Sequence, residues 1–135
     1  MKTLFCYGSL RRGFWNHGFL DPENSKFVGI DEIKGKLYAG VYPFPHAYEE
    51  DGKIVGEIWE VEDQTFYRIA QMEIQAGYYF KEVKTLRDDI PVTVFFHKDK
   101  RFKQGKLYED FIDALNDPYF VENTKWFFAE MGLYL

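Results

Sequence analysis

Two short stretches bring together residue types that can do chemistry. In "QMEIQAG" (Gln71 to Gly77) a lone carboxylate, Glu73, follows apolar residues at helical spacing, and in "LFCYGSLRRG" (Leu4 to Gly13) an apolar run ends at Tyr7-Gly8-Ser9-Leu10, just before two arginines. Phe66, Ile69, Ala70 and Glu73 share one face of a helix of 3.6 residues per turn. A glutamate carried on that face toward an apolar interior resists ionisation. Its pKa then climbs toward neutrality, the range a general acid or base needs near neutral pH. Rotating the helix by about a third of a turn would instead bury Tyr67, Ala70 and Ile74 and leave Glu73 in water. Periodicity leaves both orientations open.

A glycine where a buried strand ends lets successive N–H groups converge, and such a nest holds a carboxylate or oxyanion without a cationic side chain. The Tyr7–Leu10 segment is therefore either an anion nest or a tight turn. It is not a phosphate loop, because no Lys-Ser/Thr follows Gly13, and a dinucleotide fingerprint would need a third glycine and a long helix. Metal ligation finds little support: His17, His46 and His97 lie in three separate segments, and Cys6 is the only cysteine. Ser9 lacks the flanking pattern of a nucleophile elbow, and nothing near Cys6 would lower a thiol pKa.

These residues need elements to hold them. "TLFCY" (Thr3 to Tyr7) is β-branched and aromatic and predicts a buried first strand. Ser25 to Ala39 alternates as one long bent strand or two short ones, with bends or bulges at Gly29 and Gly35. Tyr42 to Lys53 contains two prolines and an Asp-Gly pair, which predicts a loop followed by a turn. Ile54 to Val61 has strand period, with Val55, Glu57, Trp59 and Val61 on one face. Glu62 to Gly77 changes to helical period, with Asp63 as N-cap and Gly77 as the stop. Tyr78 to Leu86 and Ile90 to His97 read as two strands joined at "RDD". The stretch from Lys106 reads as a helix with Leu107, Phe111 and Leu115 on one stripe, stopped before Pro118, and the apolar tail beyond it as partly helical. The implied class is α+β: a mixed five- to six-stranded curled sheet or small barrel with a few flanking helices, in a single domain spanning 1–135.

Of the 135 residues, 46% are hydrophobic and 20% aromatic, a composition that packs and leaves disorder without a driving force. The net charge of −5 provides no basic field for nucleic acid or an anionic membrane, and His97 to Lys106, the one basic stretch, reads as a solvated loop. No apolar stretch approaches membrane-spanning length, so cytoplasmic residence is the default expectation.

In combination and order these stretches resemble the gamma-glutamylcyclotransferase-like family. "LFCYGSLRRGFWNH" is similar to its opening, a hydrophobic strand followed by Tyr-Gly-Ser/Thr-Leu, a basic residue, a glycine and an Asn-His pair about to start a helix; Arg12-Gly13 and Asn16-His17 are nearest to the gamma-glutamylamine cyclotransferase and avirulence-induced-protein branch. "GKLYAGVYPFP", "IVGEIWEV" and "QMEIQAGYYFKEV" resemble three later blocks, the last bearing the family's catalytic glutamate ahead of a Tyr-x-Arg strand. Here Ile74 stands where many members have glycine, and Lys81 where the arginine is usual. The resemblance implies that Glu73 is the proton shuttle and that Tyr7, Gly8, Ser9 and Leu10 cradle the glutamyl moiety. It further implies that Tyr7 and Tyr79 supply low-polarity walls and hydroxyl donors, with Arg11 and Arg12 as further carboxylate ligands. The reaction implied is cyclisation of a small gamma-glutamyl amine or peptide to 5-oxoproline, without metal or cofactor, by a monomer or weak homodimer. A non-catalytic carboxylate- or protein-binding module of the same fold, and a hydrolase acting through Ser9, are the competing expectations. Selectivity for the leaving group would come from residues 40–52 and the C-terminal segment.

Overall fold

The computed structural model describes residues 1–132. Its strands are β1 (Lys2–Cys6), β2 (Ser25–Ala39), β3 (His46–Val61), β4 (Tyr78–Lys84), β5 (Pro91–His97) and β6 (Lys106–Tyr108), with helices α1 (Asp63–Gln75), α2 (Phe111–Leu115) and α3 (Pro118–Glu130). They form one six-stranded mixed sheet in the order β4-β5-β1-β3-β2-β6. β1 runs parallel to β5 and antiparallel to β3, and the other pairs are antiparallel. The expected curled sheet is therefore present, and β4 and β6 remain as edges, so it is open and not a closed barrel.

The curl is strong enough for distant strands to meet. Although three strands separate β2 from β4, Leu86 beyond β4 donates its N–H to the Glu32 carbonyl on β2 at 2.8 Å. Beside that bond the buried Asp31 carboxylate accepts the N–H groups of Glu32 (2.7 Å), Arg87 (3.1 Å) and Asp88 (3.1 Å). Burial pushes the Asp31 pKa up, but the Thr85 hydroxyl and these amides outweigh it and hold the carboxyl below its usual value. Asp31→Ala would leave those donors unpaired beside a buried strand, at a cost of about 3 kcal/mol. Urea titration should show that loss at pH 7. Because the folded-state pKa is depressed, the difference from the parent protein should shrink as pH falls through the carboxylate range.

β2 is one strand, with irregularities at the two expected glycines: the pairing skips between Phe27 and Gly29 and again between Lys34 and Lys36. At the second, Gly35 faces residues 49–52 of β3, which absorb the Asp51-Gly52 pair as a bulge. The turn expected from that pair is thus replaced by strand, and the loop is confined to residues 40–45. The reason is steric: a Cβ on Gly52 would lie 2.6 Å from the Gly35 carbonyl oxygen, an approach only glycine permits.

Two helix boundaries also differ from expectation. Glu62 is the N-cap of α1, without a side-chain cap bond, while Asp63 is its first residue and pairs with the N-terminal ammonium at 3.2 Å. A carboxylate in the first turn complements the helix dipole without capping it. Gly77, at φ 98°, ends α1 as predicted. The helix expected from Lys106 and stopped before Pro118 divides: residues 106–108 add an edge strand to β2, Asp110 caps the short α2 by accepting the Ile112 N–H, and Pro118 opens α3 behind its own cap, Asp117. Leu107 is exposed and lies outside the stripe it was expected to join. α3 accounts for the helical part of the tail; its last residues, 133–135, lie outside the described residues.

The alternation of β3 separates two cores. Ile54 and Ile58 join Phe96, Phe111, Phe120 and Phe128 on the side covered by α2 and α3, whereas Trp59 and Val61 join Leu4, Phe66 and Ile69 under α1.

Candidate active site

Where the carboxyl end of α1 approaches the exit of β1, the two chemical stretches meet in one cavity of about 530 Å3. Glu73, Tyr7, Gly8, Ser9 and Leu10 all line it. α1 is turned as its Phe66–Ile69–Ala70–Glu73 face predicts. Phe66 and Ile69 are buried in the core, while Tyr67 and Ile74, the inward residues of the rotated alternative, are 63% and 51% exposed. Withdrawal from water pushes the Glu73 pKa up to about 7.

The loop at Gly8–Leu10 turns its carbonyls to the protein. The Gly8 oxygen accepts the Arg11 N–H at 3.0 Å, the Ser9 oxygen accepts the Asn16 N–H at 3.0 Å, and the Leu10 oxygen lies 2.9 Å from His17 Nδ1. Among the described residues, the amides of Gly8, Ser9 and Leu10 donate to no protein group. A lined cavity with free amides suits an anion. Gly8 is also required by packing, since a Cβ there would sit 2.8 Å from the Pro45 ring.

The arginines act as brackets for this loop. Arg11, buried, reaches Asp110 Oδ1 at 2.6 Å, tying the loop to the start of α2. Arg12 gives its N–H and Nε–H to the buried Glu57 carboxylate at 2.9 and 2.8 Å, and its guanidinium lies 3.8 Å from the centre of the Phe27 ring. Neither lines the cavity, so the expectation that they bind substrate carboxylate is replaced by a positioning role.

Tyr79 is not brought to the site. Its hydroxyl donates to Glu49 at 2.5 Å on the other side of β4, where Lys81 reaches the same carboxylate at 2.6 Å. Alternation along β4 places Tyr78 in the cavity instead, with its hydroxyl on the Pro45 carbonyl at 2.9 Å. The Tyr7 hydroxyl is likewise committed, to the Phe95 carbonyl at 2.6 Å. Both are walls and braces, with no hydroxyl left to donate to a ligand.

The sequence offered no local signal for the rest of the wall. His46 and His97, distant in the chain, stand with ring centroids 5.0 Å apart, and Phe102, from the stretch read as a solvated loop, stacks on His46 at 4.8 Å. Burial and the neighbouring His97 push the His46 pKa down to about 4, so it is neutral at pH 7. His97 Nδ1 accepts the Asp99 N–H at 2.9 Å, leaving its Nε2 toward the Ala76 carbonyl at 3.2 Å. His17 lies elsewhere, against Trp59. Among the described residues no group of three or more His, Cys, Asp or Glu side chains is placed to hold a metal ion.

Residues 4–113 match the family described as gamma-glutamyl cyclotransferase, AIG2-like. The chain belongs to that family. A protein of Methanocaldococcus jannaschii, named provisionally as a gamma-glutamylcyclotransferase, is 37% identical over 107 residues, covering 73% of this chain and 87% of its own. The crystal structure of a Pyrococcus horikoshii protein superposes with a TM-score of 0.74 at 31% identity, over 86% of this chain and 94% of that one. The mouse AIG2-like protein shares the fold, with a TM-score of 0.67 at 22% identity over 82% of this chain and 87% of its own. The family match ends within α2, so α3 lies beyond the AIG2-like segment.

Proposed function

We propose that this chain is a gamma-glutamyl cyclotransferase that needs no cofactor, converting a gamma-glutamyl amine or peptide to 5-oxoproline and the free amine or amino acid. The observation that carries the proposal is the position of Glu73, a carboxyl raised to about 7, in the same cavity as the unpaired amides of Gly8–Leu10. The substrate's α-ammonium gives a proton to the Glu73 carboxylate. The freed α-nitrogen attacks the γ-carbonyl carbon, and the carbonyl π electrons move to oxygen. As the five-membered ring closes, Glu73 gives its proton to the leaving nitrogen, the tetrahedral centre collapses and that nitrogen departs with its electron pair; the second proton of the ring nitrogen then passes by way of the freed Glu73 carboxylate to the departing amine, which leaves as an ammonium and the ring as a neutral lactam. One group near neutrality can perform these transfers. The nucleophile is tethered to its electrophile, an arrangement contributing about 7 to 11 kcal/mol when well oriented, so the chemistry asks for positioning and protons alone.

The Gly8–Leu10 amides are assigned to the substrate carboxylate or the developing oxyanion. Ser9 is a weaker candidate for a hydrolytic nucleophile. Its Oγ accepts from the Asn16 side-chain amide at 3.0 Å, a donor that cannot take its proton.

The test is product identity: incubation with gamma-glutamyl amides should release 5-oxoproline, whereas free glutamate would indicate hydrolysis, and thermal stabilisation by these ligands without turnover would indicate a binding module. A second expectation concerns pH. Glu73 must be ionised to act as base, so kcat/KM should rise about tenfold per pH unit below an apparent pKa near 7 and level off above it.

A further inference from the structure

The cavity is larger than a glutamyl group, and its volume falls in the range that encloses drug-sized ligands. The surplus space is walled by rings. Phe44 from the loop before β3 meets Phe127 of α3 at 5.1 Å between centroids, Trp126 stands 5.8 Å from Phe127, and Tyr42 meets Phe102 at 4.9 Å. Trp126 and Phe44 are 54% and 40% exposed and form the rim of the cavity, while Phe127, half-buried, packs against the core beside them.

Charge is distributed as unusually as shape. Among the described residues no lysine or arginine lines the cavity. Arg11 and Arg12 are bound to Asp110 and Glu57, Lys81 is on the far side of β4 with Glu49, and His46 is neutral at pH 7. The one carboxylate in the wall, Glu73, would repel a second anion. An amino acid leaving group carries its own carboxylate into this space and would find no cation there, whereas a bare hydrophobic amine loses nothing and covers the rings.

Resting on the cyclotransferase reading above, we infer that Phe44, Trp126 and Phe127 form a leaving-group subsite for an uncharged aromatic or bulky apolar amine, so that the preferred substrates are gamma-glutamyl amides of hydrophobic amines and not gamma-glutamyl amino acids. Two of the three rings come from α3, which lies beyond residues 4–113 of the family match.

The experiment compares γ-glutamyl-phenethylamide, γ-glutamyl-phenylalanine and γ-glutamyl-methylamide with the full chain. The phenethylamide should exceed the phenylalanine conjugate in kcat/KM by about 30-fold, since the two differ only in the carboxylate. Trp126→Ala and Phe44→Ala, both exposed and therefore compatible with folding, should each lower the phenethylamide to methylamide ratio about tenfold. Equal kcat/KM for the phenethylamide and phenylalanine conjugates, or an unchanged ratio in both variants, would overturn the inference while leaving the cyclotransferase reading intact. Failure to release 5-oxoproline from any of the three would overturn that reading instead. The subsite would then be judged by calorimetric titration of Glu73→Gln protein, where phenethylamide binding about tenfold tighter than methylamide, lost on adding Trp126→Ala, upholds it and equal affinities refute it.

Discussion

Glu73→Gln is expected to lower kcat for 5-oxoproline release by about 10²- to 10⁴-fold while making the protein more stable at alkaline pH. The two effects have one origin. Glutamine keeps the shape of the side chain but cannot carry a proton between the α-amine and the leaving nitrogen. The parent carboxyl has its pKa raised by burial, from 4.5 to about 7, so the folded state holds that proton more firmly than the unfolded chain does. Its contribution to stability is fully present below about pH 4.5 and is lost progressively as pH rises from there through 7, a change of about 3 kcal/mol. Neutral glutamine has no such loss. Circular dichroism melts should therefore show Glu73→Gln with a higher Tm than the parent at pH 8.5 and a smaller advantage at pH 6. A structural glutamate would behave in the opposite way, losing stability on substitution. Retained turnover in a folded Glu73→Gln protein would end the mechanism.

Phe120→Ala should cost about 3–5 kcal/mol, the usual range for emptying a buried phenylalanine site. The ring is fully buried and packs against Phe111 of α2 at 5.5 Å and Phe128 of its own helix at 6.2 Å. Ile54 and Ile58 of β3 belong to the same core, so the cavity would open between α3 and the sheet. For a chain of this length the loss corresponds to a fall in Tm of roughly 10–20 °C. Calorimetry would register it as one lowered transition if α3 is part of the cooperative unit. An unchanged Tm would mean that α3 adds nothing to the fold, and would remove the physical basis for its Trp126 and Phe127 as a wall of the site.

Much of the architecture could be read before any coordinates. The strands from Ser25 and from Ile54, the helix ending at Gly77 and the pair around "RDD" all follow from alternation, helical spacing and glycine, which are local properties of backbone and side chain. The misreadings share another cause. Asp51-Gly52 has turn chemistry, but its backbone is enclosed against Gly35 of the neighbouring strand, and pairing overrides the local preference. Residues 106–108 suit a helix, yet the free edge of β2 offers them a ladder.

For the site, the composition of the chain and its short-range order determined that Glu73 shares a face with apolar residues and that a glycine follows the first strand. Only the tertiary structure decided the rest. It directs the α1 face inward and places Tyr78 in the cavity where Tyr79 had been expected, because parity along a strand has no origin until a neighbour defines the buried side. It also joins His46, His97 and Phe102 and engages both arginines with carboxylates from β3 and the start of α2. Those partners are 45 to 99 residues away in the chain, and burial, which sets the acidity of Glu73, is a property of the whole packed molecule.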